Sequence, residues 1–78
     1  MLLIKFMEMV FTSHAKKRLK ERDIKEEQVQ EVIEFPEYTI KRSNKEVEAY
    51  KKIRGKMLKI VYSQKERYIK IITLYFLD

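Results

Sequence analysis

The change of hydrophobic period at Pro36 constrains the fold of this chain more than any other sequence feature. Between residues 13 and 35, apolar residues recur at helical spacing, whereas after Pro36 they alternate with polar residues as in strands. Pro36 is the only proline and Gly55 the only glycine, so long irregular loops are not expected. The sequence therefore predicts a helical segment followed by an extended one, within one domain spanning residues 1–78.

Two short helices are predicted before Pro36. Thr12 is suited to cap the first, from about residue 13 to 22, because its hydroxyl can accept a hydrogen bond from a first-turn amide. The second runs from about residue 25 to 35, and we expect Asp23 to cap it, with Glu26 three residues later. Its apolar stripe at i, i+3 and i+4 consists of Val29, Val32 and Ile33.

Strands are predicted over most of the remaining chain. Residues alternate over 38–41, 47–52 and 58–63, and the last strand, 68–77, is apolar on both faces. Residues 2–11 indicate a leading edge strand, or alternatively a disordered start that folds back. The expected fold is α+β, with an N-terminal extended segment and a two-helix hairpin packed on a four-stranded antiparallel sheet.

The charge balance favours a polyanionic partner. Lys and Arg number 18 against 12 Asp and Glu, which gives a formal net charge of +6. A chain with this charge attracts RNA, DNA or an acidic protein, although a generally charged surface is the simpler explanation.

Several classes of site and location are disfavoured by composition. The chain has no cysteine and one histidine, so we expect no disulfide, no metal site and no cofactor. The apolar run at the N-terminus is interrupted by Lys5 and Glu8, too early for a signal peptide or a membrane span. We expect a soluble, cytoplasmic protein without membrane association.

The one histidine begins a possible phosphate-binding face on the first helix. His14, Arg18 and Arg22 recur at every fourth residue and so share one side of a helix. An imidazole titrates near neutrality and can serve as acid or base, and guanidinium groups can hold phosphate oxygens. The alternative is structural, because a histidine near a helix start is often a capping or packing residue.

The strands offer further donors for RNA. Thr73 is the one aliphatic hydroxyl residue in the apolar segment 71–75, and cations cluster around the turn at Gly55. These features also have structural explanations. The strand tyrosines can be packing residues, Thr73 is a common residue in strands, and the cations near Gly55 can belong to a solvated hairpin turn. The predicted catalytic residues are His14, Arg22 and Thr73, and the predicted contacts to RNA phosphate are Arg18, Tyr50, Lys51, Lys52 and Arg54.

The segment from Phe11 to Ile24, with its Thr-x-His-Ala-x-x-Arg-Leu-x-Glu-Arg core, resembles the family called domain of unknown function 4258. Later parts of the chain also fit that family: Val29, the end of the second helix at residues 35–37, the basic strand at 50–52, and segments 58–61 and 71–75. The similarity covers nearly the whole chain.

The family looks like a distant relative of RelE-type toxins and other metal-free ribonucleases. The resemblance implies a RelE-like domain that acts as a toxin-like endoribonuclease of the mRNA interferase type, with His14, Arg18, Arg22 and Thr73 as its site. It also implies RNA, including ribosome-associated mRNA, and an acidic antitoxin as partners. The alternative is a non-catalytic basic module that binds RNA or an acidic protein, and a third is a small housekeeping fold.

Overall fold

Two helices pack on one side of a mixed five-stranded sheet. The computed structural model describes residues 8–77. The elements in chain order are β1 (Glu8–Phe11), α1 (Ser13–Arg22), α2 (Glu26–Glu34), β2 (Tyr38–Lys41), β3 (Glu46–Ile53), β4 (Lys56–Gln64) and β5 (Tyr68–Phe76). The sheet order is β1-β5-β4-β3-β2, with α1 against β5 and α2 against β3 and β4. The α+β class and the two helices before Pro36 are confirmed.

The prediction of a four-stranded antiparallel sheet is wrong in one respect. Strands β2 to β5 form the expected antiparallel meander, but β1 adds a fifth strand that runs parallel to β5. Met9 pairs with Ile69 and Phe11 with Ile71. Without β1, one side of the apolar strand β5 would present unpaired backbone groups, and β1 supplies the hydrogen-bonding partner. The first part of the predicted strand over residues 2–11 lies outside the described residues.

Thr12 caps α1, as the sequence predicts, and also joins the helix to β5. Its Oγ1 accepts a hydrogen bond from the Ala15 amide at 3.0 Å and donates one to the Ile72 carbonyl at 2.8 Å. The Thr12 amide donates to the Ile71 carbonyl at 3.1 Å. One side chain therefore fixes the start of α1 against the sheet.

The predicted cap of α2 is wrong. Asp23 ends α1 instead, in the left-handed conformation with φ of 53°. Its amide donates to the Lys20 carbonyl at 3.3 Å, so its backbone forms the C-terminal end of α1. Lys25 occupies the position before α2, and its amide donates to Gln28 Oε1 at 2.9 Å. The Gln28 side chain, at the third position of α2, thus supplies the cap.

The core lies between the helices and the sheet face that they cover. Its members come from β1, both helices and alternating positions of β3, β4 and β5: Phe11, Ala15, Ile24, Val29, Val32, Ile33, Ala49, Ile53, Leu58, Ile60, Tyr62, Ile69, Ile71 and Leu74. The opposite surface of the sheet, here called the open face, carries the residues that alternate with these, including Tyr38, Glu48, Tyr50, Lys59, Thr73 and Tyr75.

A bulge at Ile72 interrupts the alternation of β5. Tyr62 pairs with Ile71 and the adjacent Val61 pairs with Thr73, so Ile72 is an extra residue in β5. Both Ile71 and Leu74 are therefore buried in the core, although they are three positions apart and regular alternation would put them on opposite faces. The same shift turns Thr73 to the open face.

Neither helix in the described part of the chain is long and apolar enough to cross a membrane.

Candidate nucleic-acid interface

A shallow groove runs along the exposed side of α1. It has a volume of about 210 Å³ and is lined by His14, Lys17, Arg18 and Glu21. Ala15 faces the core, which leaves the lining residues on the solvent side of the helix. Glu21 Oε1 lies 3.9 Å from Arg18 Nη1 and Glu21 Oε2 lies 4.0 Å from Lys17 Nζ. This α1 groove thus holds an imidazole, a carboxylate and two cations.

A second depression adjoins the α1 groove at Glu21. It has a volume of about 360 Å³ and lies where the end of α1, the β3–β4 turn and the end of β5 meet. Its lining residues are Glu21, Arg22, Ile53, Arg54, Lys56 and Phe76. We call it the turn cleft. It combines cations with two apolar side chains.

Arg54 connects the turn cleft to the end of α1. Its Nη2 donates to the Arg22 carbonyl at 3.0 Å, and its Nη1 lies 3.9 Å from Asp23 Oδ2. Its Cζ lies 5.7 Å from the centroid of the Phe76 ring, within the range of a cation–π contact. Arg54 has φ of 54°, which is uncommon for a residue with a Cβ. The guanidinium contacts therefore accompany a strained backbone position.

The two depressions together form a continuous basic surface, which we call the basic band. It contains five cations, namely Lys17, Arg18, Arg22, Arg54 and Lys56, and two carboxylates, Glu21 and Asp23. The cations come from α1 and from the β3–β4 turn with the first residue of β4, which lie more than thirty residues from α1 in sequence. The excess of positive charge makes this surface suited to phosphate groups.

Residues 11–76 match a known family, described as Domain of unknown function (DUF4258). The chain belongs to this family. The DUF4258 match includes every residue of the basic band together with His14 and Phe76. No curated protein and no solved structure matches the chain. The resemblance to RelE-type toxins and the predicted activity therefore stay predictions.

The DUF4258 fold brings only some of the predicted site residues together. His14 and Arg18 line the α1 groove, and Arg22 and Arg54 line the turn cleft. Lys51 lies on the helix side of the sheet, where its Nζ donates to the Phe35 carbonyl at 2.9 Å. The other three, Tyr50, Lys52 and Thr73, lie on the open face. The predicted residues thus occupy different surfaces, and their roles in RNA contact or catalysis stay predictions.

A charged network around Glu48 occupies the open face. The Tyr50 hydroxyl donates to Glu48 Oε1 at 2.8 Å, and Lys59 Nζ lies 3.4 Å and Arg42 Nε 3.2 Å from Glu48 Oε2. The Tyr50 hydrogen bond and these cations lower the pKa of Glu48 below its ordinary value. The Tyr38 ring stacks on Tyr50 at 4.5 Å, and only 6% of Tyr50 is exposed. The charges of this network largely satisfy one another.

Burial and hydrogen bonding also shift the pKa values of two further groups in this network. Burial, followed by the hydrogen bond to Glu48, raises the pKa of Tyr50. A hydrogen bond with Tyr75 raises the pKa of Lys59, with a smaller contribution from Glu48. Lys59 Nζ also lies 5.3 Å from the Tyr75 ring centroid and 5.9 Å from that of Tyr50. Tyr50 is therefore kept neutral and Lys59 is kept charged.

The structure adds residues that sequence reasoning did not select for the site. Lys17 and Glu21 line the α1 groove with His14, and Lys56 and Phe76 line the turn cleft. Glu21 follows His14 by seven residues, two helical turns, which could have indicated a shared face. No sequence signal placed Phe76 beside α1, because that contact depends on the packing of β5. Within residues 8–77, no three His, Asp or Glu side chains are grouped closely enough to hold a metal ion.

Proposed function

We propose that this protein is a metal-independent endoribonuclease of the toxin type, which binds RNA along the basic band and cleaves it in the α1 groove. The observation that carries the proposal is that His14 and Glu21 line one groove with Lys17 and Arg18. Cleavage of RNA without a metal needs a proton acceptor, a proton donor and positive charge. One exposed groove provides all three.

The reaction uses the ribose 2′-hydroxyl as the nucleophile. The Glu21 carboxylate accepts the 2′-hydroxyl proton, and the 2′-oxygen forms a bond to the adjacent phosphorus while the bond to the 5′-oxygen breaks. Protonated His14 donates its proton to the leaving 5′-oxygen. Lys17 and Arg18 stabilise the negative charge that develops on the non-bridging oxygens. The products are a 2′,3′-cyclic phosphate and a 5′-hydroxyl end.

The spacing on α1 is compatible with these opposite roles. At about 1.5 Å per residue, the Cα atoms of His14 and Glu21 are separated by about 10.5 Å along the helix axis. The base and the acid act on opposite sides of the phosphorus, so a phosphate seated between the two side chains is accessible to both. Arg18 lies between them in sequence, where a guanidinium can contact the same phosphate.

The test is cleavage of a fluorescently labelled single-stranded RNA in buffer containing EDTA. We expect cleavage by the wild type, and a loss of roughly 10²–10⁴-fold in rate for His14→Ala and for Glu21→Gln. A substrate with a 2′-deoxy group at the scissile nucleotide should be resistant, and the product should end in a cyclic phosphate. Wild-type protein that neither cleaves RNA nor arrests growth on expression would overturn the proposal.

Matched variants control for nonspecific effects of charge and folding. Glu27→Gln changes an exposed carboxylate on α2, and Arg67→Ala removes an exposed cation at the β4–β5 turn. Both should cleave RNA at the wild-type rate. A similar rate for His14→Ala and wild type would contradict the role of His14 as the proton donor.

A second candidate function is non-catalytic binding of RNA or of an acidic partner, such as an antitoxin. The observation that favours it is the extension of the basic band into the turn cleft, where Arg22, Arg54 and Lys56 add charge away from His14. This function predicts salt-sensitive RNA binding without cleavage. An antitoxin partner would be supported if an adjacent reading frame encodes a small acidic protein and if the two proteins co-purify.

The proposal includes a distant relationship to RelE-type toxins and action in the cytoplasm on mRNA, including mRNA on the ribosome. The helical hairpin packed on an antiparallel meander supports the relationship. Cleavage that requires added ribosomes would identify ribosome-bound mRNA as the substrate.

A further inference from the structure

The turn cleft has the chemistry of a nucleobase site rather than of a simple phosphate site. One wall is the Phe76 ring, with the Arg54 guanidinium 5.7 Å from the ring centroid. Arg22 and Lys56 lie at the same cleft and can neutralise a phosphate. Bases stack on aromatic rings and on guanidinium planes, and their phosphates bind nearby cations. The cleft volume of about 360 Å³ is at the lower end of the range for small-ligand sites.

The position of Arg54 is held by contacts of both its Nη atoms. Its Nη2 donates to the Arg22 carbonyl at 3.0 Å and its Nη1 lies 3.9 Å from Asp23 Oδ2. Arg54 and Asp23 have φ of 54° and 53° and are the two positive-φ residues other than glycine in the described part of the chain. A guanidinium has five N–H donors, so these contacts leave others for a ligand.

We infer that the turn cleft binds one unpaired nucleobase of the RNA, next to the nucleotide that is cleaved, and so selects single-stranded substrates. The inference rests on the proposed binding of RNA along the basic band. The two sites are adjacent because Glu21 lines both the α1 groove and the turn cleft. A base within an A-form duplex is stacked on both faces and cannot enter such a cleft.

Binding of a non-cleavable RNA separates this inference from catalysis. Fluorescence anisotropy would compare a 2′-O-methyl single strand with the same strand in a duplex. We expect the single strand to bind more tightly, and Phe76→Leu to weaken single-strand binding by roughly fivefold with little effect on the duplex. Phe76→Tyr keeps the ring and should bind like the wild type. Phe35→Leu, at an exposed phenylalanine in another part of the fold, is the matched control.

A second measurement perturbs the RNA and leaves the protein intact. Abasic nucleotides placed one at a time along the strand should weaken binding at one position beside the cleavage site. Equal binding of single strand and duplex, or equal loss at every abasic position, would overturn the nucleobase site even if RNA is cleaved. Binding that depends on Phe76 without any cleavage would support the nucleobase site and overturn the proposed nuclease.

Discussion

Thr12 joins the start of α1 to β5, and its replacement should lower the stability of the domain. Its hydroxyl makes both the helix cap to Ala15, at 3.0 Å, and the hydrogen bond to the Ile72 carbonyl, at 2.8 Å. Loss of an N-cap costs about 1 kcal/mol, and loss of a further hydrogen bond costs about 0.5–1.5 kcal/mol. We expect Thr12→Val, which keeps the shape but makes neither bond, to lower the free energy of unfolding by about 2 kcal/mol.

Circular dichroism during heating and urea titration measures this loss. In a domain of 78 residues, 2 kcal/mol corresponds to a fall in Tm of about 8–16 °C. Thr12→Ser keeps the hydroxyl and should retain most of the stability, which separates the hydrogen bonds from the packing of the methyl group. A Thr12→Val protein that melts within about 2 °C of the wild type would refute the reasoning, because the two bonds would then contribute nothing measurable.

Three further predictions concern the open face, the basic band and the β3–β4 turn. Because the pKa of Glu48 lies below its ordinary value of 4.5, its contribution to stability is present above about pH 4.5 and is lost as the pH falls. Urea titrations should therefore show a stability gap between wild type and Glu48→Gln near pH 7 that closes on acidification, and a constant gap would contradict this. Arg18→Ala should reduce the slope of log Kd for RNA against log salt by about 1, while Arg67→Ala should change neither the slope nor the affinity if only the basic band contacts phosphate. Gly55 has φ of 81°, and an added Cβ would meet no atom within 4 Å. Gly55→Ala should therefore lower the free energy of unfolding only through backbone strain, by about 1–2 kcal/mol in urea titrations. An unchanged free energy of unfolding would contradict this strain.

Local signals predicted the helices and the meander, whereas a non-local pairing was missed. Thr12 and the apolar spacing specify α1, and Pro36 ends the helical region, because caps and periodicity act over a few residues. The parallel pairing of β1 with β5 joins residues sixty positions apart and has no turn sequence to indicate it. Asp23 was assigned to the wrong helix because an Asp near two helix ends suits either a cap or a left-handed terminus.

The positions of the candidate site residues were predictable on α1 and not on the strands. The spacing of His14 and Arg18, which the sequence displays directly, places both in the α1 groove, whereas Arg22 lines the turn cleft. Simple alternation through Ile69 and Ile71 would place Thr73 on the helix side, but the bulge at Ile72 turns it to the open face.

The two faces of the fold use their cations differently. On the open face, Arg42 and Lys59 lie 3.2 and 3.4 Å from the single Glu48 carboxylate oxygen Oε2. Lys17 and Arg18 approach Glu21 only at 4.0 and 3.9 Å, at the exposed surface of α1, where such pairs contribute little. An anion that contacts Arg42 or Lys59 must displace Glu48, whereas one that contacts Lys17 or Arg18 displaces only a weak ion pair with Glu21. Since the net charge of the chain is +6, we expect a polyanion to bind at α1 and the β3–β4 turn more readily than at the Glu48 network.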